Sequence, residues 1–186
     1  MASAQEAHQP AAVHTGAQEE VNLTHTRGGI MANEEHLRRL REGIDAWNQW
    51  RQDYEDERID LVFADLTGLN LRGANLQGAH LTGADLRDAN LSMAVLTGAE
   101  LVAAELMGAD LRRANLRGAD LSGANLSEAN LSGADLSNAD LRRVFISGTD
   151  FSGATLQGTL LDTPVEGQIH VVLRSALPTP DTRSLN

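Results

Sequence analysis

Leucine stands at every fifth residue from Leu61 to Leu161, through 21 consecutive positions of which only Ile146 and Phe151 are not Leu. Alanine recurs two residues earlier, as at Ala74, Ala79, Ala84, Ala89 and on to Ala139, and the position between them is mostly Asp or Asn. The unit is Ala-(Asp/Asn)-Leu-x-x. A fixed internal period constrains a chain more than local propensity does, because every unit must bury its apolar residues in an interior shared with its neighbours.

A period of five excludes both straight elements. On an α-helix, five residues turn through about 500°, so successive leucines would drift around the axis by about 140° and form no stripe. On a flat strand they would alternate faces, because five is odd and side chains repeat every two residues. A bent path satisfies the pattern. In Ala119-Asp120-Leu121 an extended backbone turns Ala and Leu to one side and Asp to the other, and two further residues can turn the chain by about a right angle. Four such turns close a square coil. Two residues after each Leu, Gly occupies 12 of the 20 positions from Phe63 to Gly158, as a turn demanding positive φ requires. The exceptions, such as Asp88, Met93, Arg113 and Glu128, imply a turn variant that tolerates a side chain.

Residues 59–163 therefore resemble the pentapeptide-repeat family, and the resemblance covers more than half of the chain. It implies an all-β solenoid, a right-handed quadrilateral β-helix with four pentapeptides to the coil, Leu or Phe inside and Ala packed beside them. The 21 units then make about five coils, roughly 24 Å tall at the ~4.8 Å spacing of neighbouring strands. Leu71, Leu91, Leu111, Leu131 and Phe151 fall in one interior column. The stretches Asn33-Glu34-Glu35-His36-Leu37 and Trp47-Asn48-Gln49-Trp50-Arg51 also resemble the leader helix that precedes the repeats in many bacterial members.

The flanking residues divide accordingly. Residues 1–32 lack periodicity and are expected to be a disordered tail, with Met31 an alternative translation start. Residues 33–52 are expected to form one amphipathic capping helix, with Leu37, Leu40, Ile44 and Trp47 on its apolar stripe, Asn33 as N-cap and Gly43 its weak point. Residues 164–177, with Val165, Ile169, Val171, Val172 and Leu173, are expected to add a final strand or a short cap at the far end, and 178–186 to be a flexible tail. Some members of the family dimerise through that end, so monomer and homodimer both remain open.

The composition narrows the function classes. The chain has no Cys, and its six His show no metal-ligand spacing, so no thiolate chemistry and no metal or other cofactor is expected. A net charge of −11, with 15 Arg and no Lys, argues against binding nucleic acid through its phosphates. No apolar run approaches the 18 or so residues of a membrane span, and no secretory leader is evident, so a soluble cytoplasmic protein is expected.

Residues 20 apart stack in neighbouring coils, which sorts the outward positions into columns. One column reads Asp60, His80, Glu100, Asp120, Asp140, and the next reads Asp65, Asp85, Glu105, Asn125, Phe145. These two faces are acidic. A third carries Asn70, Asn90, Asp110, Asn130 and Asp150 with Arg72, Arg112 and Arg113 beside it. Asp and Asn flanking turns accept hydrogen bonds from nearby amides, which explains their recurrence without catalysis, and an unbroken prism offers no pocket for an active site. The expected role is non-enzymatic, a rigid surface that binds an unidentified protein through Asp60, Asp65, Asp85, Glu100, Glu105, Asp120 and Asp140.

The family resemblance supplies an alternative. Some members mimic duplex DNA and protect or inhibit DNA gyrase, which makes a type II topoisomerase the alternative partner. Against this, residues 59–163 hold 13 acids and 7 Arg, a net of −6, where B-DNA would carry about 14 charges over 24 Å. Gyrase-directed members are also often longer, richer in interior Phe and in some cases interrupted by a loop, whereas this core is unbroken and almost all Leu.

Overall fold

The computed structural model describes residues 31–162. From residue 60 the chain runs as single-residue parallel bridges, each joining a residue to the one twenty further on: Asp60 to His80, Asp65 to Asp85, Asn70 to Asn90, Asn75 to Val95, and so on to Asp140 with Leu160. Four bridge columns rise side by side before the fifth bridge returns to the first. The extended stretch at each bridge is too short for a continuous strand, because a turn follows after every third residue.

The alternation predicted from the sequence is what builds the interior. Every Leu of the column from Leu61 to Leu141 is buried, as are the Ala residues from Ala74 to Ala139, and Phe151 takes a Leu position fully buried near the far end. Leu71, Leu91, Leu111 and Leu131 stack in this core with Phe151. The backbone is satisfied between coils: the Leu81 N–H donates to the Glu100 carbonyl at 2.7 Å and the Glu100 N–H donates to the Ala79 carbonyl at 2.9 Å, a pattern that recurs at most units. Unit by unit, the transfer of Leu from water supplies about 1.5–3 kcal/mol each.

The corners share one conformation. The Ala64 N–H donates to the Leu61 carbonyl at 3.0 Å, closing a four-residue turn whose third residue, Phe63, has φ 53°. A positive φ at the third residue is what a type II turn requires. All twenty corner residues from Phe63 to Gly158 are left-handed, the eight side-chain-bearing ones included. The expected difference between glycine and non-glycine turns is thus absent from the sign of φ. A different rule separates them. Of the seven non-glycine corners whose successor twenty residues on is described, six are followed by Gly. At three of the six the reason is steric: Phe63, Asp88 and Asn138 lean into the space that a Cβ at Gly83, Gly108 and Gly158 would occupy. Only Met93, followed by Arg113, stacks side chain on side chain.

At the amino-terminal end the single helix expected over 33–52 is instead two, α1 (Glu34–Glu42) and α2 (Ile44–Asp53). Gly43, at φ 133° and ψ 150°, breaks the helix, a conformation that only Gly adopts cheaply. Asn33 caps α1 as expected, its Oδ1 accepting from Glu35 N and His36 N at 2.9 and 3.2 Å. The apolar stripe survives the break: Leu37, Leu40 and Trp47 are buried and Ile44 packs partly buried against the same core. Trp50 stacks between Trp47 and Tyr54, with centroids 5.2 and 5.7 Å away, and the Arg39 guanidinium lies over it at 5.0 Å. The expected tails (residues 1–30 of the first, and 178–186) and the 164–177 cap lie outside the described residues.

The helices also close the open edge of the first coil with polar groups. Trp47 Nε1 donates to the Asn75 carbonyl at 2.9 Å, while Asn48 accepts from Asn75 N at 2.8 Å and donates to the Gly73 carbonyl at 3.0 Å. Arg41 reaches the Asp65 carbonyl, and the Asn33 N–H the Asp60 carbonyl. The Asp60 N–H donates to Nδ1 of His36, a ring only 3% exposed. These contacts stand where a preceding coil would have stood.

Two outcomes follow. Leu111→Ala is expected to lower unfolding free energy by about 2–5 kcal/mol, and Leu111→Asp to abolish the cooperative thermal transition followed by circular dichroism. Burial holds the His36 pKa below its ordinary value, against smaller opposing effects of Glu57 and Asp60. A depressed folded pKa gives stability that is complete above the unfolded value of about 6.5 and is lost as pH falls. The hydrogen-exchange protection factor of the Asp60 amide is therefore expected to fall between about pH 7 and 5, a fall removed in His36→Gln.

Candidate interaction faces

The outward Asp and Asn residues have a structural task. In fourteen units Oδ1 accepts from the backbone N–H two residues later, as Asp60 does from Val62 at 3.2 Å and Asp120 from Ser122 at 2.9 Å. That N–H begins the corner and has no carbonyl partner in the coil ladder, so the side chain completes it. Of the seven predicted face residues, Asp60, Asp65, Asp85, Asp120 and Asp140 are used in this way. Glu100 and Glu105 are not, because a longer side chain does not form the same ring.

Arginine reduces the outward charge further. Asp85 is gripped by Arg87, Asp110 by Arg112 and Asp140 by Arg142, each through two guanidinium nitrogens, and Asp135 meets Arg117 at 3.2 Å. The Arg87 bonds hold the Asp85 carboxyl down to about 2. Arg112 and Arg142 do the same in direction for Asp110 and Asp140, while hydrogen bonds from Thr67, Ser137 and Ser152 lower Asp65, Asp135 and Asp150.

The two predicted acidic faces do lie side by side. The columns of Asp60 and Asp65 bracket one corner, where Asp65, Glu100 and Glu105 are exposed and Asp60, Asp85, Asp120 and Asp140 are half-buried. Glu100 lies 3.3 Å from His80 Nε2 and Glu105 accepts from Asn125 at 3.0 Å. On the corner between them Phe63 is 59% exposed, its ring lying over Gly83 of the next coil. Sequence reasoning weighed only the charges and missed Phe63. Its signal was present, a bulky aromatic in a position that is Gly in most units.

The surface is also less smooth than the unbroken repeat suggests. A hollow of about 670 Å³ lies under the junction of α2 and the first coil, lined among others by Arg51, Glu55, Glu57 and Gln77. A second, of about 300 Å³, opens on the corner diagonal to Phe63.

The family model of pentapeptide repeats matches in eight copies over residues 64–101, 104–143 and 119–158, which together make up half of the chain. The chain belongs to the pentapeptide-repeat family. Among solved structures, this pentapeptide-repeat protein is similar to one from the thylakoid lumen of Arabidopsis thaliana, at 35% identity and a TM-score of 0.57 over 58% of this chain and 75% of that one. It is also similar to Rfr23 of the cyanobacterium Cyanothece 51142, at 38% identity and a TM-score of 0.41 over 49% of this chain and 58% of that one. A trypsin-treated form of QnrB1, a plasmid-mediated fluoroquinolone resistance protein, follows at 28% identity and a TM-score of 0.41, over 61% and 65%. The chain thus spans less than two thirds of these last two. No curated protein matches it.

The carboxylate pKa values carry a pH consequence. Folded values below the unfolded ~3.9 contribute stability that is complete above that value and disappears as pH falls toward about 2. Melting temperature is expected to hold between about pH 7 and 5 apart from the His36 contribution and to fall steeply below pH 4. Asp85→Asn is expected to flatten that lower slope, as read by a melting series.

Proposed function

We propose that this pentapeptide-repeat protein is a non-enzymatic, rigid platform that binds a protein partner through the acidic corner formed by Asp65, Glu100, Glu105 and Phe63. The observation that supports this reading most is Phe63. A bulky side chain at φ 53° is strained, an aromatic ring 59% exposed gives up hydrophobic burial, and the fold at this position asks only for Gly. Aromatic residues, Phe among them, are enriched at protein interfaces relative to the rest of the surface. Glu100 and Glu105, relieved of turn closure and held only by surface contacts, to His80 and Arg58 and to Asn125 respectively, supply charge for a basic partner. Asp60, Asp85, Asp120 and Asp140 frame the corner, mainly as parts of the fold.

The alternative partner, a type II topoisomerase approached by DNA mimicry, is less well supported. Five outward carboxylates, Glu100 among them, are paired with Arg, which lowers the exposed negative charge still further below that of duplex DNA.

A photo-cross-linking residue placed at Glu105 is expected to capture one discrete partner in cells, and capture is expected to drop about tenfold on adding Phe63→Ala or Glu100→Lys, with melting temperature preserved. Equal capture of that partner from Thr97, on another corner, would remove the reading. Inhibition of gyrase supercoiling at micromolar protein would replace it with the topoisomerase reading.

A further inference from the structure

The corner diagonal to Phe63 has the opposite chemistry. Its hollow of about 300 Å³ is lined by Arg72, Ser92, Met93, Arg112, Arg113 and Ser132, three guanidinium groups across three consecutive coils of a chain whose net charge is −11. Arg112 is committed to Asp110, with Nε and Nη2 donating at 2.8 and 2.6 Å. Arg72 and Arg113 have no carboxylate within 4 Å among the described residues, and both are exposed. The neighbouring bridge column offers Asn70, Asn90 and Asn130 where acids would have neutralised them. Locally, three positive groups face one carboxylate.

The backbone gives a second, independent sign. This is the corner where Met93 and Arg113 break the steric rule of the solenoid, a left-handed side chain stacked on another left-handed side chain, at φ 61° and 56°. Every other non-glycine corner whose successor twenty residues on is described is followed by a Gly in the next coil. Together the two side chains build a ridge beside the hollow, and Arg72 Nη2 lies 3.4 Å from Met93 Sδ, which holds its guanidinium at the rim. Both residues carry backbone strain that a glycine would avoid, and what it places there is side chains that the fold does not need.

We infer that the hollow lined by Arg72, Arg112 and Arg113 is a binding site for a phosphoryl-type oxyanion of two or more negative charges. A planar guanidinium matches phosphate oxygens two at a time, and multiple charge favours this site over chloride. Arg72 and Arg113 supply the binding charge, Arg112 remains tied to Asp110 as a fixed neighbour, and the Ser132 hydroxyl is a further donor. Met93 gives an apolar wall for the body that carries the phosphoryl group. The site lies on a different corner from the acidic platform and does not depend on that reading.

The test is a titration of the full chain with inorganic phosphate and with pyrophosphate at constant ionic strength, followed by amide and Arg Nε NMR shifts. Saturable shifts confined to Arg72, Ser92, Met93, Arg112, Arg113 and Ser132 are expected, tighter for pyrophosphate. Affinity is expected to fall about tenfold in Arg72→Gln and in Arg113→Gln and to be unchanged in Arg87→Gln, whose guanidinium is paired elsewhere. Because both target side chains are exposed, unchanged melting temperatures will separate lost binding from lost folding. Linear, unsaturated shifts, or equal affinity in the three variants, would overturn the site. Tighter binding of a Glu-rich peptide than of pyrophosphate at the same residues would overturn the phosphoryl assignment.

Discussion

Each pentapeptide ends on a residue held in the left-handed region, and the rest of the solenoid hangs on that conformation. It turns the chain through a corner within two residues, so that the next Ala and Leu face inward again. Without it the period of five has no geometric meaning, because neither helix nor strand can keep those leucines on one side. The hydrophobic gain of the Leu column is large, but it becomes available only after twenty consecutive corners have taken the same φ sign. Glycine makes this inexpensive at twelve of them, and the other eight incur local strain.

The two classes of polar residue outside the core solve different problems. Asp and Asn at the bridge positions complete corner amides that the ladder leaves over, so their regularity is a requirement of the turn. The cap solves the problem of the first coil's open edge. A stacked solenoid exposes donors and acceptors there, and an ordinary amphipathic helix would cover them with apolar groups and leave them unsatisfied. Here Asn33, His36, Arg41, Trp47 and Asn48 each meet a specific backbone group. The aromatic residues that the solenoid largely lacks are concentrated in this cap, where Trp47 combines an apolar body with a single donor.

The interior was legible in the sequence because periodicity alone decides it. The twenty-residue register followed from four turns per circuit, and the bridges between Asp60 and His80 or Asp120 and Asp140 have that register. The helix break was not legible: Gly43 reads as a modest weakness in a helix, and only the need to lay both halves on a square edge selects its extended conformation. The face residues were half legible. Column membership could be counted, but the division between Asp120, engaged in its corner, and Glu105, exposed and relieved of that duty, depends on side-chain length against a turn amide. Arg72, Arg112 and Arg113 could be seen to cluster, whereas the ridge beside them depends on how left-handed side chains lean.

That lean has a direction. Phe63, Asp88, Arg113, Glu128 and Asn138 each reach toward the following coil, and the corners they meet there, Gly83, Gly108, Gly133, Gly148 and Gly158, are their complement. The coils are consequently not interchangeable modules, although their leucines are identical. A block of twenty residues copied or moved elsewhere would keep its hydrophobic core and still meet the wrong neighbour at its corners. Growth of such a chain by duplication is then limited by its surface, where the order of the coils is written as a one-way interlock.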